Sequence, residues 1–307
     1  MPNTLAHLGI NGLVTRTLIK KADLILIYIG AVIPDFPWII QRFVSALIPQ
    51  VNIYDLRLYC VILASLFFSI ILSAALSYLF IDTKRTFIIF SAGSLIHLLL
   101  DSIEIKWANG VHLFAPFSWE LFNAGFFWPE SIPIYMISAF GLFYLIFNWK
   151  ETISTSINVS FKNFKKVLAI FIFIIIYFSL PVLFLDNAEA ANNHYVKTLR
   201  DREHRIGNYF EIDRGNYIDD SKGDRIITPF HEELKVVNLN IQRSEKISIR
   251  AKFISRDKIQ ILDYHIHGNR ELFSLLGLLL ILIFLIISIA NNFRYKTKSA
   301  AKNAAVD

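Results

Sequence analysis

The feature that most constrains this chain is a set of long apolar runs that carry no charge. Residues 60–81, 167–185 and 272–290 contain no Asp, Glu, Lys or Arg, and each approaches the length of about 20 residues that a helix needs to cross the hydrocarbon of a bilayer. With 54% hydrophobic residues and a mean hydropathy of +0.47, the chain is too apolar for a soluble protein of 307 residues. We therefore expect a polytopic α-helical membrane protein.

The basic residues predict how the chain crosses the membrane. Four basic clusters lie beside the apolar runs, at 20–21, 84–85, 150–166 and 294–302. The positive-inside rule places all four in the cytoplasm. About six to seven membrane helices satisfy this rule, namely 5–19, 22–43, 60–81, 86–100, 131–148, 167–185 and 272–290. The N-terminus then lies outside and the C-terminus inside, and three segments face the extracytoplasmic side: 44–58, 101–130 and 186–271.

The outer segment 101–130 is too mixed in polarity to form a membrane helix. It contains Trp107, Trp119 and Trp128, and tryptophan is enriched at membrane–water interfaces. We expect this segment to be interfacial or re-entrant, with its backbone shielded by protein where it enters the bilayer.

Four polar side chains fall at nearly one predicted depth in these spans. Counted from the nearest cytoplasmic lysine, His7, Asp35 and His97 lie 13, 14 and 13 residues away. At 1.5 Å per residue each lies about 20 Å from the inner anchor, and Asp101 is one turn further out on the face that carries His97. A carboxylate inside an apolar helix costs about 2.5–3.5 kcal/mol on insertion scales, so it is normally paired or functional.

Two imidazoles and two carboxylates at one level form a ligand set that suits a borderline divalent cation such as Zn²⁺. The cation would also offset the cost of burying the carboxylates. The alternative is that each residue is satisfied locally: His97 by a backbone carbonyl, Asp101 at the interface, and His7 at the N-terminal surface. Because four such residues share one depth, we favour a metal or catalytic site.

The extracytoplasmic residues 187–271 are polar and contain about five short alternating stretches. In "KISIRAKF" the apolar residues at 247, 249, 251 and 253 alternate with polar ones, which predicts a half-buried strand. We expect a small antiparallel β-barrel, with the OB type as a candidate. His265 and His267 share one strand face, but without a third ligand in view we interpret them as two exposed strand histidines near the membrane.

Several motifs in order resemble a known family. The stretches "NTLAHLGING", "GAVIPDFPW", "HLLLD" and "GVHLFAPFSW" are similar to the pattern of the YdjM-like inner-membrane metal-dependent hydrolases, over roughly residues 1–150. The resemblance implies a bacterial inner-membrane enzyme with a membrane-embedded metal site, for zinc, that hydrolyses an ester or phosphoester. The family's metal ligands map here to His7, Asp35, His97 and Asp101.

The chain departs from the family pattern at two places. Pro37 stands where the family has a second aspartate, and the histidine-rich stretch expected near 52–65 contains no histidine. Its polar candidates are Asp55, Arg57 and Tyr59. Either the site holds one ion, with Asp55 as a substitute ligand, or the activity is lost while the fold remains.

These observations predict four regions and two functions. The regions are a hydrolase-like helical domain, a basic cytoplasmic loop with a membrane helix, an extracytoplasmic β-rich domain, and a last membrane helix with a basic tail: 1–150, 151–186, 187–271 and 272–307. The first function is hydrolysis of a lipid or lipid-linked substrate at the outer leaflet, with Asp35 or Asp101 as general base. Glu104 and His112 are candidates for positions around the ligands or beside the substrate, but for both we favour the alternative of ordinary interfacial side chains.

The second function is that of a catalytically degenerate protein that binds or assembles partners through its outer domain, with a protein or glycan partner. Nucleic-acid binding is not expected of a domain placed outside the cell. Secondary transport fits poorly, since no pair of corresponding broken helices lies in two halves of the chain.

Overall fold

The structure is a computed structural model that describes residues 4–108, 110–154, 159, 163–219, 223–239, 241, 243–268 and 271–304. Helices form the first two thirds of the chain and its end. They are α1 (Thr4–Leu18), α2 (Leu24–Val32), α3 (Phe36–Leu47), α4 (Ile53–Leu63), α5 (Leu66–Ser77), α6 (Thr83–Ser102), α7 (Ile132–Phe147), α8 (Trp149–Ser154), α9 (Phe164–Ser179), α10 (Leu185–Ala191), α11 (Val196–Arg200) and α12 (Glu271–Ala304).

The prediction of six to seven membrane helices is not supported. Among the described residues, three helical segments are long and apolar enough to cross a membrane, Leu24–Leu47, Phe164–Ala191 and Leu272–Asn291. A fourth arises only if α4 and α5, which meet at an angle of 72°, are counted as one broken span. The other apolar runs fail for physical reasons: α7 has only 16 residues, and α6 contains Lys84, Arg85 and Asp101.

Asp35 lies at a break in the first of these segments. A 3₁₀ turn (Ile33–Asp35) separates α2 from α3, with Pro34 at its start and Pro37 at the start of α3. Each proline lacks a backbone N–H and disfavours a continuous α-helix. The carboxylate of Asp35 therefore lies at a helix junction, where the chain changes direction, and its residue is only 2% exposed.

Close contacts at glycines bring the site-bearing helices together. A Cβ atom on Gly93 of α6 would lie 2.9 Å from the carbonyl carbon of Gly30 in α2. A Cβ atom on Gly141 of α7 would lie 2.0 Å from the carbonyl oxygen of Leu5 in α1. Only glycine allows backbones to approach this closely.

In the described part of the chain, residues 209–266 form a closed five-stranded barrel. Its strands are β1 (Tyr209–Ile218), β2 (Arg225–Ile227), β3 (Glu233–Val237), β4 (Glu245–Phe253) and β5 (Lys258–Ile266), ordered β1-β2-β3-β5-β4. The predicted alternation in β4 is confirmed at its inward positions, where Ile247, Ile249, Ala251 and Phe253 are at most 1% exposed.

The prediction of a purely antiparallel barrel is wrong at one pairing. Strands β3 and β5 run parallel, with Val236 opposite Ile259, while the other neighbouring strands are antiparallel. The reason is geometric: strand direction cannot alternate all the way around a closed ring with an odd number of strands, so at least one neighbouring pair must be parallel.

The outer segment between α6 and α7 packs against the barrel. No helix occurs between residues 103 and 130 in its described part, as its mixed polarity predicts. The backbone N–H of Ala108 donates to Glu211 Oε2 of β1 at 2.6 Å. The guanidinium of Arg250 in β4 lies 4.6 Å from the centre of the Trp107 ring. This segment is therefore held between the helices and the barrel.

Candidate metal centre

Two helices and one helix junction bring the predicted polar residues to one place. His7 comes from the first turn of α1, Asp35 from the junction after α2, and His97 and Asp101 from successive turns of α6. All four are buried, with His7 and His97 each only 1% exposed. Because residues four apart lie on the same face of a helix, His97 and Asp101 point the same way.

The side-chain atoms of these residues lie at short distances from one another. His7 Nε2 is 3.4 Å from Asp101 Oδ1, and His97 Nε2 is 3.3 Å from Asp35 Oδ1. One ligand atom from each of His7, His97 and Asp101 can be chosen so that all lie within 4.8 Å of one another. Asp35 approaches this group of three through His97.

His97 is oriented by a backbone contact. Its Nδ1 lies 2.6 Å from the carbonyl oxygen of Ala31, so Nδ1 carries the proton and donates it. In the neutral imidazole the lone pair is then on Nε2, the atom that faces Asp35. The alternative that a backbone carbonyl satisfies His97 thus accounts for Nδ1 only. Its Nε2 remains directed at the carboxylates. Histidines that bind a metal through one ring nitrogen likewise donate the N–H of the other nitrogen to a fixed hydrogen-bond partner.

These residues fit a divalent ion by distance and by unsatisfied polar atoms. Two ligands at about 2.1 Å from one tetrahedral ion lie about 3.4 Å apart, close to the separations observed here. Four atoms, His7 Nε2, His97 Nε2, Asp35 Oδ1 and Asp101 Oδ1, are buried without a hydrogen-bond partner in the structure. Buried polar atoms normally have partners, so the group is suited to an ion bound by His7, His97 and Asp101, with Asp35 beside His97. The two imidazole rings stack at 3.7 Å with an interplanar angle of 11°.

A lysine that the sequence reasoning missed lies beside the group. Lys106 Nζ is 3.1 Å from Asp101 Oδ2 and 3.7 Å from Glu104 Oε2. The ammonium group is a counter-charge for Asp101 and links it to Glu104, which is fully buried. Glu104 therefore lies near the ligands, and it does so through Lys106. No sequence signal marked Lys106, because it follows α6 in irregular structure.

The other two candidates make their contacts elsewhere. Asp55 pairs with Arg200 Nη1 at 2.9 Å. The candidate substitute ligand therefore contacts α11, the helix that precedes the barrel. His112 Nδ1 lies 2.9 Å from the carbonyl oxygen of Trp119, and its Nε2 lies 3.4 Å from Asn192 Nδ2. Burial lowers the pKa of His112, which favours a neutral ring in this polar contact.

Comparison with known proteins found no match to this chain. No family model matches the chain, and no curated protein or solved structure matches it.

Proposed function

We propose that this protein is an integral-membrane, metal-dependent hydrolase that acts on an ester or phosphoester of a lipid or lipid-linked substrate. The observation that carries the proposal is the convergence of His7, His97 and Asp101, buried and with mutually close ligand atoms. Zn²⁺ is the ion that this histidine–carboxylate set favours. The resemblance to the YdjM-like hydrolases, which was based on the same residues, is part of the proposal.

The residues of the site divide into ligands, a base and a charged neighbour. His7, His97 and Asp101 hold the ion, and Ala31 fixes the His97 ring through its carbonyl. When bound, such an ion supplies Lewis acidity, which acidifies a water molecule and polarises a phosphoryl or carbonyl oxygen. Asp35 contacts the group through His97 alone and is therefore our choice as general base over Asp101, which already pairs with Lys106.

Lys106 has a second use in this proposal. Its ammonium group lies at the outer end of α6, next to the ligand Asp101. A positive charge there would attract an anionic substrate and stabilise negative charge that develops on the substrate oxygen during hydrolysis.

The location at the outer leaflet rests on the chain's orientation and on exposed aromatic side chains. We propose that the barrel is extracytoplasmic, of OB type, and that the protein lies in the inner membrane of a bacterium. The outer segment exposes Phe114, Phe117 and Phe126, which are 56%, 81% and 66% accessible. Such large apolar side chains suit contact with lipid close to the interface.

A second candidate function is supported by the contacts of Lys106 and Asp55. An ammonium group beside Asp101 already offsets part of the buried negative charge, so the group could persist as a structural ion pair without a metal. Asp55 is engaged by Arg200 and is not placed to complete a second ion site. The protein would then be a degenerate hydrolase that binds or assembles partners through its barrel.

Metal analysis of the purified protein tests the first function. We expect His97→Ala to lose one equivalent of zinc relative to the wild type, and to lose turnover of a panel of lipid phosphates and lipid esters. His204→Ala is the matched control, because His204 is on the surface and pairs only locally with Asp201. Unchanged zinc content in His97→Ala would refute the site. A wild-type protein that turns over none of the substrates, with or without zinc, would favour the second function.

A further inference from the structure

A second group of metal-ligating side chains forms where the barrel meets the start of α7. Glu130 precedes α7, while His265 and His267 lie at the end of β5. One ligand atom from each can be chosen so that all lie within 4.8 Å of one another. The interpretation of the two histidines as exposed strand residues fails for His267, which is 7% exposed, because the outer segment covers this end of the strand.

The distances in this group match those between ligands of one ion. Glu130 Oε1 lies 3.0 Å from His267 Nδ1, and Glu130 Oε2 lies 3.6 Å from His265 Nε2. These values bracket the separation of about 3.4 Å expected for neighbouring ligands on a tetrahedral zinc ion. His265 Nε2 is buried and has no hydrogen-bond partner in the structure. The ring of Trp128 stacks on His265 at 3.7 Å and holds it in place.

The hydrogen bonds of Ser248 assign the protons of His267. Ser248 Oγ accepts from the backbone N–H of Arg214 at 3.1 Å and donates to Asp213 Oδ1 at 2.9 Å. Its single proton is thereby used, so at 2.7 Å it accepts from His267 Nε2. His267 Nδ1 lies 3.0 Å from Glu130 Oε1 and donates to it in the imidazolium form. In the neutral ring the same nitrogen carries the lone pair, which a cation shared with the carboxylate can bind.

Two other interpretations of the group are weaker. The order Ser248, His267, Glu130 is that of a hydrolase triad, but Ser248 is fully buried and its proton goes to Asp213, so it is not available as a nucleophile. The guanidinium of Arg214, 3.7 Å from Glu130 Oε1, balances the carboxylate charge but leaves His265 Nε2 without a hydrogen-bond partner.

We propose that Glu130, His265 and His267 form a second metal site, which takes a divalent transition-metal ion such as Zn²⁺. Two histidines and one glutamate leave a fourth position open, and the Ser248–Asp213 pair orients His267 from behind as outer-shell partners do in metal sites. The proposal is independent of the hydrolase function, because it uses none of the residues of the first centre.

The surroundings of the site indicate what could reach the ion. His267 also lines an open pocket of about 580 Å³, together with the basic residues Arg214, Arg243 and Lys246 and the acidic Glu245, so the lining carries a net positive charge. A positively charged wall favours an anion as the fourth ligand. The ion would at the same time join the barrel to the segment that begins α7, since its ligands come from both.

Zinc binding to the full-length protein in detergent tests this site. In a His97→Ala background, which lacks the first centre, we expect one equivalent of Zn²⁺ by equilibrium dialysis. Adding His265→Ala or Glu130→Gln should abolish that equivalent, and Co²⁺ in place of Zn²⁺ should lose its d–d absorption in the same variants. Glu130→Gln keeps the shape and polarity of the side chain, and circular dichroism verifies that each variant is folded.

The control and the reciprocal series keep the outcomes distinct. His204→Ala in the same background should retain the equivalent, and His265→Gln in the otherwise wild-type protein should lower the total from two to one. Zinc retained by both His265→Ala and Glu130→Gln, or no zinc in the His97→Ala parent, would overturn the proposal. If only the His97 variants lose zinc, the second site is refuted and the first centre stands. If only the His265 and Glu130 variants lose zinc, the first centre is refuted and the second site stands.

Discussion

At the scale of single residues, the first centre depends on how buried charges are compensated. Asp101 contacts two imidazoles and the ammonium group of Lys106, so its burial is offset on several sides. His97 has one nitrogen committed to the Ala31 carbonyl and the other directed at Asp35. The roles proposed for Asp101 as a ligand and Asp35 as a base depend on these existing contacts.

Lys106 gives the sharpest test at this scale. We expect Lys106→Met to raise zinc affinity by about tenfold or more, because it removes a positive charge next to a ligand of the ion in a buried environment of low effective dielectric constant. Turnover should fall in the same variant if Lys106 stabilises negative charge on the substrate. Titration of the apo-protein with a zinc indicator measures the affinity.

Exposed Lys197 supplies the control, since Lys197→Met changes charge without touching the centre. If the ammonium group itself is the permanent counter-charge of a degenerate site, Lys106→Met will instead bind no zinc and unfold at lower temperature, because Asp101 loses that counter-charge.

At the scale of elements, glycine contacts set the distance between the helices that carry the ligands. Gly93 lets α6 approach α2 closely enough for His97 to reach Ala31. Gly141 lets α7 pack against Leu5 of α1, the helix that carries His7. The proline-bounded turn then places Asp35 on the side of α6 that carries His97. The site is thus held by backbone packing as much as by its own side chains.

Gly93→Ala tests this role of the backbone. The new methyl group would lie 2.9 Å from the Gly30 carbonyl carbon and 3.1 Å from the Ala31 nitrogen, so α6 must move away and the contact between His97 and Ala31 lengthens. Overpacking of this kind costs about 1–3 kcal/mol of stability. We expect a lower midpoint of thermal unfolding together with weaker zinc binding at the first centre.

Leu95→Ala is the matched control on the same helix, because Leu95 is 38% exposed and lies away from α2. A Gly93→Ala protein with wild-type zinc affinity would show that the close approach of the helices does not position His97.

At the scale of the whole molecule, the outer segment connects the helical part to the barrel. Trp107 and Ala108 contact the barrel through Arg250 and Glu211, and Glu130 contacts it through the two histidines at the end of β5. The two candidate metal groups lie at either end of this segment, one where α6 ends and one where α7 begins. An ion at each end would fix the segment between helices and barrel.

The proposed orientation can be measured by labelling single cysteines. In a Cys60→Ser background, which removes the chain's only native cysteine, we expect a membrane-impermeant maleimide added to intact cells to label Lys252→Cys in the barrel. The same reagent should label Lys150→Cys only after the membrane is permeabilised, because the positive-inside rule places that lysine in the cytoplasm. The reverse pattern would invert the topology and place the barrel inside.

Local pattern in the sequence was enough for the face shared by His97 and Asp101, the change of direction at Asp35 and the inward row of β4, although not for the number of membrane helices. The 3.6-residue period places His97 and Asp101 on one face, the prolines around Asp35 interrupt a helix, and alternation in β4 predicts an inward apolar row. Equal depth from the basic anchors anticipated that His7, Asp35, His97 and Asp101 meet. These properties follow from backbone geometry and from the hydrophobicity of residues that are close together in the sequence.

Only the tertiary structure decided what depends on residues far apart in the chain. The angle of 72° between α4 and α5 removes an unbroken span, closure of the barrel forces β3 and β5 to run parallel, and Lys106 meets Asp101 through irregular structure. Glu130 reaches His267 across 137 positions. No local period encodes such a contact, because packing of separate elements, which is cooperative and involves the whole chain, determines which side chains meet.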